Sequence, residues 1–140
     1  MDVKTILSIS ASGMNAQRAR TEAIASNLAN SDVTRTADGG PYKRQVPIFR
    51  SQSVDPFGAA LNNELSTVEV ADVEQLEQFR REYDPGHPDA DEDGYVLKPD
   101  IDIMTEMVDL MEAVRSYEAN ANVVDVTREL VSAALRIGKG

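Results

Sequence analysis

Apolar residues recur at alternating steps of four and three at both ends of the chain. From Val3 the steps give Leu7, Ser10, Met14, Gln17, Thr21, Ile24 and Leu28. From Ile103 they give Met107, Leu110, Val114, Tyr117, Ala121, Val124, Arg128, Val131 and Leu135. This alternation marks a helix that buries one narrow seam against another helix. It predicts a first helix from about Val3 to Asn30, roughly 40 Å of rod at 1.5 Å per residue. It predicts a last helix from Ile103 to near Gly138. The seams are unequal. The first is polar at Ser10, Gln17 and Thr21, and Gly13 inside it costs about 1 kcal/mol relative to Ala. Its many small residues (Ala11, Ala16, Ala19, Ala23, Ala25, Ala29) permit close approach of another helix. Because most helical stability comes from packing, the first helix is expected to be partly disordered in a monomer and to order on assembly. The seam of the last helix is the better one, broken only at Arg128, which is read as a polar residue fixing helix register.

Between the helices the pattern changes. Asn30-Ser31-Asp32 stops the first helix with cap and turn residues, and Thr36 to Pro41 is a run of breakers. Tyr42 to Phe49 reads as a strand interrupted by Pro47. Val68, Val70 and Val73 suggest a second strand, Leu76 to Tyr83 a third, and Tyr95 to Lys98 a short fourth. Residues 51–63 carry little pattern and read as a loop. Pro99 precedes the last helix, with Asp100 or Asp102 as its cap. The expected fold is mainly α with a small β insert: long terminal helices forming a coiled-coil-like pair, and an irregular β-rich middle. Residues 1–30 and 103–140 form the terminal helical unit, and 31–102 the acidic insert.

Charge sharpens that division. The chain of 140 residues carries a net charge of −10. Residues 1–63 hold five acids and seven bases, 64–102 thirteen acids and three bases, and 103–140 six acids and four bases. Residues 64–102, the second part of the middle, carry the whole excess. Such a polyanion disfavours nucleic acid and anionic membranes and is expected to act as a solvated surface. With no cysteine there is no disulfide framework and no thiolate chemistry. No stretch approaches the roughly 18 apolar residues of a membrane span. The opening lacks a basic leader and its apolar residues are spaced, so any export is expected to use a route that reads no hydrophobic leader.

Candidate chemistry is sparse. Asp89-Ala90-Asp91-Glu92-Asp93-Gly94, with Asp100 at the twelfth position, resembles the opening of a calcium loop. The context opposes it. The last ligand is Asp rather than the longer Glu, Pro99 precedes it, and Asp84-Pro85-Gly86-His87-Pro88 precludes a leading helix. An acidic turn between two strands is the expectation. His87 is the only histidine, and between prolines it reads as a turn residue, not a catalytic or zinc-binding one. Nothing points to an enzyme, a cofactor or a small-molecule substrate. Met104, Met107 and Met111 suit an adaptable interface, and Tyr117, Glu118, Asn120 and Asn122 flank the seam as register-setting polar residues.

Asn27-Leu28-Ala29-Asn30, then Thr34 and Gly40-Pro41-Tyr42-Lys43-Arg44, resemble the bacterial flagellar axial family of rod, hook and filament-junction proteins. Tyr83-Asp84-Pro85-Gly86-His87-Pro88-Asp89-Ala90-Asp91 with Gly94-Tyr95-Val96, and Glu106 to Asp109 with Arg115 to Asn120, narrow the resemblance to its proximal rod members. Asp100 and Asp125-Val126-Thr127 depart slightly from the family pattern. The resemblance implies a hollow tube of packed terminal helices that transmits torque. It also implies uncleaved export through the flagellar type III apparatus into the periplasm-spanning rod, and other proximal rod proteins and a basal adaptor as neighbours. Leu7, Met14, Ile24, Leu28, Met107, Leu110, Val114, Tyr117, Val124 and Val131 are the expected assembly contacts. Two other readings stay open: a calcium-responsive module at Asp89–Asp100, and a soluble helical adaptor closing its seam within one chain.

Overall fold

The structure, a computed structural model, describes residues 2–54 and 65–138. Asp2 opens the first helix, α1 (Val3–Ala29), by accepting a hydrogen bond from the Thr5 N–H at 2.7 Å. This bond holds the exposed Asp2 carboxyl below the ordinary carboxylate range. Asn30 closes α1: its backbone N–H and its side-chain Nδ2 both donate to the Ser26 carbonyl. The last helix, α2 (Ile103–Ile137), starts at Asp102. Asp102 Oδ1 accepts from the N–H groups of Met104 (2.9 Å) and Thr105 (3.4 Å). These are two of the orphan donors at a helix start.

Among the described residues four strands lie between the helices: β1 (Arg44–Ser53), β2 (Ser66–Leu76), β3 (Phe79–Tyr83) and β4 (Tyr95–Pro99). They form two separate antiparallel ribbons, β1–β2 and β3–β4. Pro47 is accommodated because it lies beside a bulge. Pairing slips between Ile48, opposite Asp72, and Phe49, opposite Val70, leaving Ala71 as the extra residue. The expected third strand is divided, with Leu76 ending β2 and Phe79 starting β3. Of the expected loop 51–63, Ser51–Ser53 belong to β1, and residues 55–64 lie outside the described residues.

The two helices pair antiparallel within the chain. Asn27 lies level with Glu106, Gly13 with Asn120, and Val3 and Leu7 with Thr127 and Val131. The β1–β2 ribbon lies along another side of α1, where the Val68 N–H donates to Ser12 Oγ at 3.2 Å. Burial is concentrated at small residues. Ala16, Ala23, Ile24 and Ala113 form the helical core, while Tyr42, Val96 and Ile101 are buried where the insert joins. Ala113 has no exposed surface, so the backbones approach closely there. The mainly α architecture with a small β-rich middle is thus observed.

The register of the α2 seam differs from the expectation. The row turned to α1 is Glu106, Ala113, Asn120 and Thr127, flanked by the half-buried Leu110, Val124 and Val131. Met107, Val114 and Leu135 are exposed and lie outside it. The cause is on α1. A Cβ on Gly13 would meet the Asn120 side chain at 3.0–3.2 Å, so a glycine there lets Asn120 sit close without being pushed aside. The isolated penalty of Gly13 is therefore offset by close helix approach.

Candidate assembly interface

Asn27 organises the junction between the helices and the insert. Its Oδ1 accepts from the Gln45 N–H at 2.8 Å and from the Tyr42 hydroxyl at 3.0 Å. Its Nδ2 donates to the Gln45 carbonyl at 2.9 Å and to Glu106 Oε2 at 3.3 Å. The amide thus serves the free edge of β1 as a neighbouring strand would. Glu106, 2% exposed, is held from the other side by Arg44, whose Nε lies 2.7 Å from Oε1. Tyr42 also shares a hydrogen bond with Ser26 at 3.0 Å. A buried carboxylate needs a charged partner and further hydrogen bonds, and here β1 supplies the Arg44 guanidinium and α1 the Asn27 amide to a carboxylate carried by α2. Asn27 and Tyr42, singled out by resemblance, converge here, whereas Asn30 caps its own helix through the Ser26 carbonyl. Glu106 and Arg44 complete the cluster. The sequence signal for Glu106 was an acid on the helical track shared with Ala113, Asn120 and Thr127.

A second latch ties the segment after α1 to the acidic turn. Thr34 Oγ1 donates to Asp89 Oδ2 at 2.8 Å, and Arg35 pairs with Oδ1 of the same carboxylate. The turn itself is self-stapled. Asp91 Oδ1 accepts from the N–H groups of Tyr95 and Asp93, and Oδ2 pairs with Arg81 at 2.8 Å. The Tyr95 N–H, with the Arg81 guanidinium, holds the exposed Asp91 carboxyl below its ordinary range. Tyr83 and Tyr95 meet edge to face at 5.2 Å, and Arg81 lies 4.6 Å over the Tyr95 ring. Gly94 has a φ of +82°, and a Cβ there would press on Pro85 and Tyr83 at 3.1 Å. Pro85 and Pro88 set the turn around His87, whose Nδ1 accepts from the Asp89 N–H at 3.0 Å. Asp89 and Asp91, the first carboxylates of the calcium reading, are thus engaged with protein donors.

The remaining predicted contacts separate by face. Ile24 is buried within the chain, and Leu7, Met14, Leu28, Leu110, Val124 and Val131 are half-buried along the rims of the helix pair. Met107, Val114 and Tyr117 are exposed. Met104, Val108 and Met111 accompany them, with Met104 69% exposed. Asn120 is half-buried and donates to the Ser116 carbonyl, whereas Ala29, Glu118 and Arg128 are exposed. Gln17 Oε1 is buried with no hydrogen-bond partner among the described residues, so one polar position of the α1 seam is unsatisfied. Beyond Asn122 the exposed apolar residues Val123, Val126 and Leu130 follow a different side of α2.

Known proteins match this chain at its helical ends and along its whole length. Residues 7–35 match the family model described as "Flagella basal body rod protein", and residues 92–137 that described as "Flagellar basal body rod FlgEFG protein C-terminal". The flagellar basal-body rod protein FlgC of Aquifex aeolicus is 43% identical over 132 residues, covering 93% of this chain and 92% of the relative. That of Bacillus subtilis is 39% identical, covering 95% and 96%. That of Borreliella burgdorferi is 36% identical over the whole of both chains. The two terminal matches define the class, a structural subunit of the flagellar basal-body rod, which assembles with other rod proteins in the basal body. The end-to-end relatives decide the branch: the chain belongs to the FlgC family of flagellar basal-body rod proteins. Among the described residues no helix is long and apolar enough to cross a membrane.

Proposed function

We propose that this rod subunit builds the axis through its terminal helices, with residues 1–30 and 103–140 as the axial unit and 31–102 as an outer insert. The observation that carries this reading is the exposed apolar row on α2: Met104, Met107, Val108, Met111 and Val114. A side chain of this kind contributes about 1.5–3 kcal/mol when fully buried. Several such residues along one helix face supply enough for a stable contact between subunits. Stiffness against torque then comes from summing these contacts over many copies. Leu7, Met14, Leu28, Leu110, Tyr117, Val124 and Val131 extend the contact along the rims of the pair, while Ile24 supports it from inside.

The task is mechanical and not catalytic, because the polar clusters at Glu106 and Asp89 are consumed in joining elements of the fold. Export through the flagellar type III apparatus and a place in the periplasm-spanning part of the axis accompany this reading, as the family resemblance implies. Neighbouring proximal rod proteins and a basal adaptor are its partners. Deleting residues 103–140 should abolish swimming and remove the truncated chain from purified basal bodies. Normal swimming by cells carrying only the deleted form would overturn the proposal.

A further inference from the structure

We propose that the Met104–Val114 row docks on the outward face of α1 of a second copy of this chain, the two subunits lying side by side and head to tail. The inference rests on the rod-subunit reading and specifies which face meets which. On α1, the exposed outward row includes Arg18, Glu22, Ala25 and Ala29. Among the described residues Arg18 and Glu22 pair only with each other, at 3.0 Å and largely in solvent. On α2, Arg115 and Glu118 follow the apolar row and make no ion pair among the described residues.

Charge order selects the orientation. Laid antiparallel, Arg18 of one copy meets Glu118 of the next, and Glu22 meets Arg115. The same alignment brings Ala25 to Met111 and Ala29 to Met107, so long flexible side chains face alanines, as knobs face holes. Laid parallel with Arg18 beside Arg115, Glu22 comes beside Glu118, and like charges oppose. The antiparallel register lies about one helical turn, ~5.4 Å, from that of the chain's own α1–α2 pair.

Geometry selects a second copy's α1 over its α2. Two α2 rows meeting about a two-fold axis would close on themselves, whereas an axial structure needs a heterologous contact that repeats. The outward row of α1 and the apolar row of α2 lie on opposite sides of the helix pair, as repetition requires. The β1–β2 ribbon, held at Ser12 and Asn27, occupies a different side of α1 and leaves the outward row open.

The chain has no cysteine, so an introduced pair reports alone. In oxidised basal bodies from cells carrying only the A25C/M111C form, a ladder of cross-linked dimers and larger species is expected. Mixing the two single variants should give dimers only. Reversing Arg115→Glu with Glu118→Arg should lower rod yield at least tenfold, and adding Arg18→Glu with Glu22→Arg should restore it. Monomeric A25C/M111C protein in rods that assemble and turn, self-cross-linking of M111C alone, or failure of the second charge reversal to restore rods would each overturn the docking. Rods that form without the chain would instead overturn the rod-subunit reading.

Discussion

Toward α1, helix α2 presents Glu106, Ala113, Asn120 and Thr127. Away from it, over its first three turns, it presents Met104, Met107, Val108 and Met111. The inner row is small or polar, buried at Glu106, Ala113 and Thr127 and half-buried at Asn120; the outer row is apolar and exposed. In a monomer that folds for itself alone the reverse would be expected. The difference shows which task each face serves. The inner row fixes register: Asn120 packs tightly against Gly13, and Glu106 is satisfied where Asn27 and Arg44 converge. The outer row carries apolar surface that a neighbour can cover.

The largest effect is expected at the inner row. Glu106→Ala leaves Arg44 and Asn27 without their shared partner. Removing one member of a buried pair costs about 3–5 kcal/mol, and partly exposed Arg44 places this case near the lower end. Met107→Ala, on the outer row, should change monomer stability by less than about 0.5 kcal/mol. Urea unfolding of the two purified variants checks the contrast, and equal losses would erase the distinction between faces.

A smaller effect sharpens the register. Gly13→Ala gains about 1 kcal/mol of helix propensity but pushes against the Asn120 amide, so the two terms nearly cancel and the single variant stays close to neutral. In an Asn120→Ala background the clash disappears, and Gly13→Ala should then stabilise by about 1 kcal/mol. A double-mutant cycle by thermal or urea unfolding reads this coupling; additive effects would place the helices further apart than described.

The smallest expected effect is at the start of α2. The N–H groups of Thr105 and Met104 lower the exposed Asp102 carboxyl from its ordinary value of 3.8. Its capping contribution is therefore complete above that value and is lost as pH falls through the lower folded value. The difference in stability between the protein and its Asp102→Asn variant should stay constant from neutral pH to about 4 and change only below it. A change centred near neutral pH would point to another group.

Much of this was legible in the sequence. The limits of both helices and four β segments followed from periodicity, breakers and β-branched runs, and the cap of α2 was narrowed to Asp100 or Asp102. The face of α2 did not. A four-and-three pattern locates an apolar stripe but does not say whether the chain or its neighbour covers it. Here the stripe that starts at Met107 and Val114 faces outward, and the covered row is one position away, at Glu106 and Ala113. Gly13 and Glu106 carried the signal for that shift. Each looks unfavourable in an isolated helix, and each makes sense only against a specific partner. The contacts of Asn27 with Gln45 were beyond a linear reading, because an amide standing in for a strand leaves no periodic trace.

The central claim, that the outer apolar row of α2 serves neighbouring subunits and not the chain's own core, is tested most directly by Met107→Glu, with unfolding of the purified protein measured beside its recovery in basal bodies. An unfolding midpoint within experimental error of the parent protein is expected, together with loss of the variant from the rods and loss of swimming. A variant that unfolds far more easily on its own, or one recovered in rods at the normal level, would contradict it.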